Sequence, residues 1–158
     1  MVFVSGFSIR DYRESDKMAI IELNRVSLEN TDAFLWNVNG YYDDLNDIAA
    51  QYLRAGRFFV GEVDGRIVAT GAVRVISEGT AEVKRIRVHP DFQRKGIGQS
   101  MLSLLERTAR GLGCTRIVLD TTIKQTAAQA MYLKNSYREL RRERIYDTTE
   151  RIYYEKMI

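Results

Sequence analysis

Apolar and polar residues alternate with period two from Phe7 to Tyr12, with Phe7, Ile9 and Asp11 on one side and Ser8, Arg10 and Tyr12 on the other. That pattern predicts a first strand. The period then lengthens. Ser15 or Asp16 suits an N-cap, and Ala19, Ile20, Leu23 and Val26 are spaced for one buried face of a helix that reaches about Glu29. Residues 30–40 form a polar loop carrying Phe34, Leu35 and Trp36. Helical spacing returns at Tyr42, Leu45, Ile48, Ala49, Tyr52 and Leu53, which predicts a second helix over about Tyr41–Ala55, ended by Gly56.

Arg57–Val63 reads as a strand, Asp64-Gly65 as a two-residue hairpin turn, and Arg66–Ile76 as the return strand. Gly79 marks the next turn, before a strand over Glu82–Val88. A third helix over about Gly96–Leu112 would bury Ile97, Met101, Leu104, Leu105, Thr108 and Leu112, with Gly111 and Gly113 stopping it. Arg116–Thr121 is a short buried strand, and Gln125–Asn135 a fourth helix. Two strands, about Arg138–Tyr146 and Arg151–Met157, close the chain around a polar turn at Asp147-Thr148-Thr149-Glu150. The order β-α-α-β-β-β-α-β-α-β-β predicts an α/β protein with a mixed (α+β) sheet: antiparallel hairpins first, then a crossover joining the fourth and fifth strands.

Length and composition narrow the class. One domain over 1–158 is expected for 158 residues with 45% apolar and 28% charged content. No apolar run approaches a membrane span, and the first seven residues lack the basic and apolar regions of a signal peptide. Cys114 is the only cysteine, so no intramolecular disulfide forms and a cytoplasmic protein is expected. The net charge of +3 is mild. Arg138, Arg141, Arg142 and Arg144 are interrupted by Glu139 and Glu143, which reads as a solvated strand face and not as a nucleic-acid surface. His89, beside Pro90, reads as a turn residue, because no partners are spaced for a metal.

The chemistry concentrates at Gln93-Arg94-Lys95-Gly96-Ile97-Gly98, a basic glycine loop between a strand and a helix. Free N–H groups and the positive end of a helix dipole suit a pyrophosphate. A P-loop is excluded, since no G-x-x-x-x-G-K-[ST] run occurs. A dinucleotide fingerprint matches Gly96 and Gly98 but meets Met101 at its third glycine, although Asp120 stands roughly where a ribose-binding acid would. The preceding hairpins also argue against it.

The loop resembles the Q/R-x-x-G-x-G/A signature of the GNAT-type N-acetyltransferase superfamily. Ala81–Pro90 resembles that family's fourth strand and following turn, and Gln125–Tyr137 its N-x-x-A-x-x-L-Y-x-x-x-G-F segment. Ala128 and Tyr132 match; Gln125 replaces Asn, Met131 replaces Leu, and Ser136-Tyr137 replaces Gly-Phe. The resemblance implies the GNAT-like fold, with strands four and five splayed around the pantetheine arm of acetyl-CoA (coenzyme A). It implies cofactor binding by the backbone of Ile86, Arg87 and Val88, by Gln93, Arg94, Lys95, Gly96, Ile97, Gly98 and Gln99, and by Gln125, Ala128 and Tyr132. It also implies that Tyr132 protonates the departing thiolate, which suits a phenol protonated at neutral pH. A homodimer is implied by resemblance only.

Glu82 is the general-base candidate. It lies fourteen residues before Gly96, a spacing found in several family members. On an unbroken strand it shares a face with Ile86 and Val88; a bulge, which the resembled family often has here, would change that. The alternative is an acid paired with Lys84 or Arg74. Phe34, Trp36, Tyr41 and Tyr42 are placed to line an acceptor pocket. The expected activity is acetyl transfer to a primary amine of a small molecule by direct attack in a ternary complex. A protein lysine or N-terminus as acceptor, or a non-catalytic CoA sensor, are the alternatives.

Overall fold

Strand β1 (Phe7–Asp11) pairs antiparallel with β2 (Gly56–Val63), β2 with β3 (Arg66–Ser77), and β3 with β4 (Thr80–Val88). Asp64 and Gly65 both have positive φ, as a two-residue turn of type I′ requires. Helix α2 (Ile97–Gly111) crosses from β4 to the parallel strand β5 (Arg116–Thr122). After α3 (Thr126–Lys134), β6 (Arg138–Arg144) and β7 (Glu150–Met157) complete a seven-stranded sheet in the order β1-β2-β3-β4-β5-β7-β6. This computed structural model describes residues 2–29, 40, 42–145 and 149–158. Phe34, Leu35, Trp36, Tyr41, the expected strand end Tyr146 and the turn residues Asp147 and Thr148 lie outside the described residues.

Each face of the sheet has its own core. On one, Met101, Leu102, Leu105 and Ala109 of α2 pack on Val73, Val83, Ile117 and Leu119, with Tyr132 of α3 beside Tyr137 and Tyr154. On the other, Ile20 of α1 (Lys17–Glu29) packs with Leu45, Ile48, Tyr52, Phe58, Val60 and Ala72. The α2 stripe differs from the expected one in detail: Leu102 and Ala109 are buried, whereas Leu112 is exposed beyond the helix end. In α1, Ala19 is exposed and Asn24, Ser27 and Leu28 are buried. Close packing of α2 depends on Gly71 of β3, where a Cβ would stand 2.5 Å from Met101 Cγ.

Two local expectations are corrected. Asp16 is not the N-cap of α1. It sits in a short 3-10 turn, accepts from the Arg13 N–H at 2.8 Å, and is clamped by both terminal nitrogens of Arg10. The second helix is replaced by a 3-10 turn at Asp43–Asn46 and a π-helical turn at Ala49–Leu53. Asp47 breaks the run with φ −142, while its side chain accepts from the Ala50 N–H. Leu45, Ile48 and Tyr52 still reach the core, but Ala49 and Leu53 do not.

Candidate active site

The sheet opens where the parallel ladder between β4 and β5 stops. β4 and β5 pair at Thr80↔Arg116, Ala81↔Ile117 and Glu82↔Val118, and no further. Beyond that point β4 carries a bulge on its β3 side. Thr70 pairs with Arg87 and Ala72 with Lys84, so Gly71 faces both Arg85 and Ile86. Arg85 absorbs the extra residue with φ 57, in a region that costs a side-chain-bearing residue about 1–2 kcal/mol. Contacts among the described residues hold it there. Its guanidinium meets the Asp44 carboxylate, with Nε at 2.9 Å, and stacks 5.1 Å from the Tyr42 ring, while the Thr70 hydroxyl donates to its carbonyl at 2.7 Å. Burial favours the neutral Asp44 acid, but Arg85 and the Tyr52 hydroxyl outweigh it and keep the carboxyl below its usual range.

The bulge reverses the strand's faces. Ile86 and Val88 pack toward α2. Glu82 instead shares the α1 face with Lys84 and Arg87; Arg87 Nε donates to Asn24 of α1 at 3.0 Å. The unbroken-strand parity expected for Glu82, Ile86 and Val88 is therefore incorrect. Glu82 nonetheless lines the opening, and its carboxylate accepts from Arg74 Nε at 3.0 Å. Of the two pairings expected for it, Arg74 is the one formed.

A cleft of about 850 Å³ occupies the splay. Its walls include Gly98, Met131 and Tyr132 from the α2–α3 side and Ser27, Leu28 and Tyr42 from the α1 side, so it runs through the sheet. Of the residues singled out in the sequence, Glu82, Ile86, Arg87, Val88, Gln93, Arg94, Gly96, Gly98, Gln99, Gln125, Ala128, Tyr132 and Tyr42 all line it. Two expected residues do not. The Ile97 side chain is in the core, and Lys95 is exposed outside the cleft with its carbonyl taken by the Phe3 N–H at 2.8 Å. Phe34, Trp36 and Tyr41 lie outside the described residues.

At the α2 end of the cleft, Gly96 is the left-handed N-cap (φ 86) and Arg94 is also left-handed (φ 60). The first helical bond is from the Ser100 N–H to the Gly96 carbonyl at 3.0 Å. The N–H groups of Ile97, Gly98 and Gln99 thus precede the ladder and point out of the helix end. A Cβ on Gly98 would be 3.6 Å from Met131 Sδ and 3.8 Å from Val88 Cγ2, so this glycine leaves a shallow space toward the cleft. The Gln99 side chain is engaged elsewhere: it exchanges two hydrogen bonds with Asn135 at 2.9 and 2.7 Å, pinning α2 to the end of α3. Gln125, at the start of α3, accepts from the Thr121 hydroxyl. This donor-rich helix end, with Arg94 beside it and an apolar-walled slot between β4 and α3, fits a pyrophosphate with a long thioester arm.

Tyr132 meets the cleft from α3. Burial pushes its hydroxyl up to about 12; Arg87 pulls against that and Asp120 adds to it. The hydroxyl is therefore protonated at neutral pH. Facing it from the α1 side are residues that the sequence did not single out for this chemistry: Asp120 of β5, Lys84 of β4, and Arg151 and Tyr153 of β7. Arg151 Nε lies 3.4 Å from Asp120 Oδ1. Burial raises the Asp120 carboxyl above the usual range, against the pull of Arg151. The available signal was an acid interrupting the apolar run Ile117-Val118-Leu119.

The Acetyltransferase (GNAT) family model matches residues 19–137. The IAA acetyltransferase of Azospirillum brasilense is 29% identical over 124 residues, covering 75% of this chain and 76% of that protein. N-acetyltransferase 8 of Homo sapiens is 26% identical over 103 residues, covering 61% of this chain but 45% of the human protein. Among solved structures, an acetyltransferase from Streptococcus agalactiae superposes with TM-score 0.85 at 22% identity, covering 98% of this chain and 100% of that one. The Salmonella typhimurium protein solved with its cofactor acetyl-CoA gives TM-score 0.78 at 20% identity, covering 97% of this chain and 94% of its own. These structures share the fold. With the family model spanning most of the sequence, the chain belongs to the GNAT acetyltransferase family: it is an N-acetyltransferase that works with acetyl-CoA.

Proposed function

We propose that residues 1–158 form one N-acetyltransferase domain that transfers an acetyl group to the primary amine of a small molecule, by direct attack with both reactants bound. The observation that carries this reading is the cleft passing through the sheet, with a protonated tyrosine on one side and two carboxylates on the other. Acetyl-CoA supplies the acetyl thioester. The helix-end N–H groups and Arg94 bind its pyrophosphate, and the backbone of Ile86–Val88 aligns the arm. Tyr132 gives its proton to the sulfur as it departs. Glu82 or Asp120 takes a proton from the acceptor, with the sequence spacing favouring Glu82. A small acceptor is supported by the compact charged group on the α1 side: Lys84, Asp120, Arg151 and the Glu82–Arg74 pair. A direct route is supported by Cys114, which is buried on the α2 side and does not line the cleft.

The test is thiol release from acetyl-CoA against a panel of small amines and of peptides with free lysines or N-termini. We expect release with small amines, and kcat reduced on the order of a hundredfold in Tyr132→Phe with acetyl-CoA affinity retained. Release with peptides alone would move the acceptor to protein. Acetyl-CoA binding without release to any amine would make the protein a CoA sensor.

A further inference from the structure

We propose that Asp120, rather than Glu82, is the carboxylate that takes the acceptor amine's proton. The inference rests on the acetyl-transfer reading above and names the residue that reading leaves open.

Position decides between the two acids. Glu82 belongs to the last closed pair of the β4–β5 ladder, opposite Val118. Asp120 is two residues further along β5, where the strands have parted. Glu82 is also committed: Arg74 holds its Oε1 at 3.0 Å and is itself tethered to the Gln51 carbonyl at 3.0 Å. Asp120 points to the α1 side, because Ile117 and Leu119, its neighbours in the alternation, are in the core under α2. It nonetheless lines the same cleft as Tyr132, which lies on the other side of the opening. The sulfur and the attacking nitrogen are both bonded to the same carbon as the reaction proceeds. A carboxylate past the end of the ladder, on the other side of the opening from the tyrosine, is therefore placed to reach the nitrogen.

The groups around Asp120 fit a base and not a structural ion pair. Arg151 of β7 approaches at 3.4 Å, longer than a good charged hydrogen bond. Lys84 and Arg85 of β4 add positive charge, Glu82 adds negative charge, and Tyr132 of α3 faces them across the opening. The Asp120 side chain is 25% exposed, its open part being in the cleft. A carboxylate that burial makes more basic holds a proton better than a surface acid.

The step balances. The acceptor ammonium gives one proton to Asp120. The freed nitrogen forms the N–C bond, and the C–S bond breaks as the sulfur takes the Tyr132 proton. The second nitrogen proton restores Tyr132, and Asp120 releases its proton to solvent. The products are amide, thiol and one proton.

The experiment is kcat/KM against pH for the native protein, Asp120→Asn, Glu82→Gln and Arg151→Gln, with acetyl-CoA affinity and thermal midpoint measured on each. The native profile should fall as pH drops through the Asp120 titration. Asp120→Asn should lose that acid limb and about a hundredfold or more in rate, with acetyl-CoA affinity kept. Glu82→Gln should move the limb to lower pH and Arg151→Gln to higher pH, opposite shifts that do not depend on Asp120→Asn folding well. Asp120→Asn with native rate and limb would overturn the inference, as would charge variants whose limbs stay in place. A native protein that acetylates no amine would overturn the transfer reading and this assignment together.

Discussion

Gly71→Ala tests whether the contact between β3 and α2 holds the coenzyme end of the site in place. The glycine is not in a left-handed conformation, so the added methyl meets no backbone penalty. By itself, the reduced freedom of the unfolded chain would stabilise the variant by about 0.4–1 kcal/mol. Packing acts the other way. The new carbon would stand 2.5 Å from Met101 Cγ, 2.8 Å from Met101 Sδ and 3.0 Å from Leu105 Cδ1, whereas carbon atoms rest about 3.5–4 Å apart. Both neighbours are fully buried, so neither can turn into solvent. Overpacking of this kind costs roughly 1–3 kcal/mol and exceeds the entropic gain. The net loss of about 1–2 kcal/mol lowers Tm by roughly 2–8 °C in a chain of this size. Because α2 must retreat, the N–H groups at its start shift as well, and acetyl-CoA should bind more weakly. Chemical denaturation of Gly71→Ala, Met101→Ala and the double variant checks the mechanism. Met101→Ala alone should cost about 2–5 kcal/mol by leaving a cavity. In the double variant the alanine methyl finds room, so the pair should be less destabilised than the sum. An unchanged or raised Tm, or additivity within about 0.5 kcal/mol, would refute the argument.

Two more outcomes follow from strained or buried positions. Ser136 ends α3 with φ 70, where the resembled motif carries glycine, so Ser136→Gly should stabilise the fold by about 1 kcal/mol in urea titration; no gain would mean the serine is unstrained. Arg85→Ala strips the guanidinium from half-buried Asp44 and should cost about 3–5 kcal/mol near neutral pH. The Asp44 carboxyl is held below its usual range, so its stabilisation is present above about pH 3.9 and is lost as pH falls through the lower folded value. Stability measured between neutrality and pH 2 should therefore decline less steeply at the acid end in Arg85→Ala than in the native protein, and equal slopes would sink the assignment.

The glycine loop and the α3 segment were legible because backbone requirements leave a mark on the sequence. Gly96 needs a left-handed conformation, Gly98 borders the cleft, and Tyr132 falls at a fixed offset from Ala128. The bulge was not. Arg85 is neither Gly nor Asn, and nothing in Val83–Val88 shows that one residue is unmatched by its neighbour strand. That single residue moved Glu82 to the other face from Ile86. The helix expected over Tyr41–Ala55 kept part of its apolar spacing but lost its geometry, because Asp44 turns across to Arg85 of β4 and Asp47 bonds locally to the Ala50 N–H. Gln99 looked like part of the phosphate cradle, and its side chain proved to be a clasp on Asn135. The charged group around Asp120 comes from β4, β5 and β7, whose adjacency only the folded sheet creates.

The parted strands also bear on how long the protein survives. Past Glu82↔Val118 the two strands share no ladder, so the centre of the sheet is joined more weakly there than at its edges. A molecule seated in that gap binds the folded chain and not the unfolded one. It raises the free energy of unfolding by about 2.7 kcal/mol when present at a hundred times its dissociation constant. Unfolding, proteolysis and turnover of this chain should then slow as the surrounding acetyl-CoA concentration rises, so that part of its stability is set by metabolism and not by its own sequence.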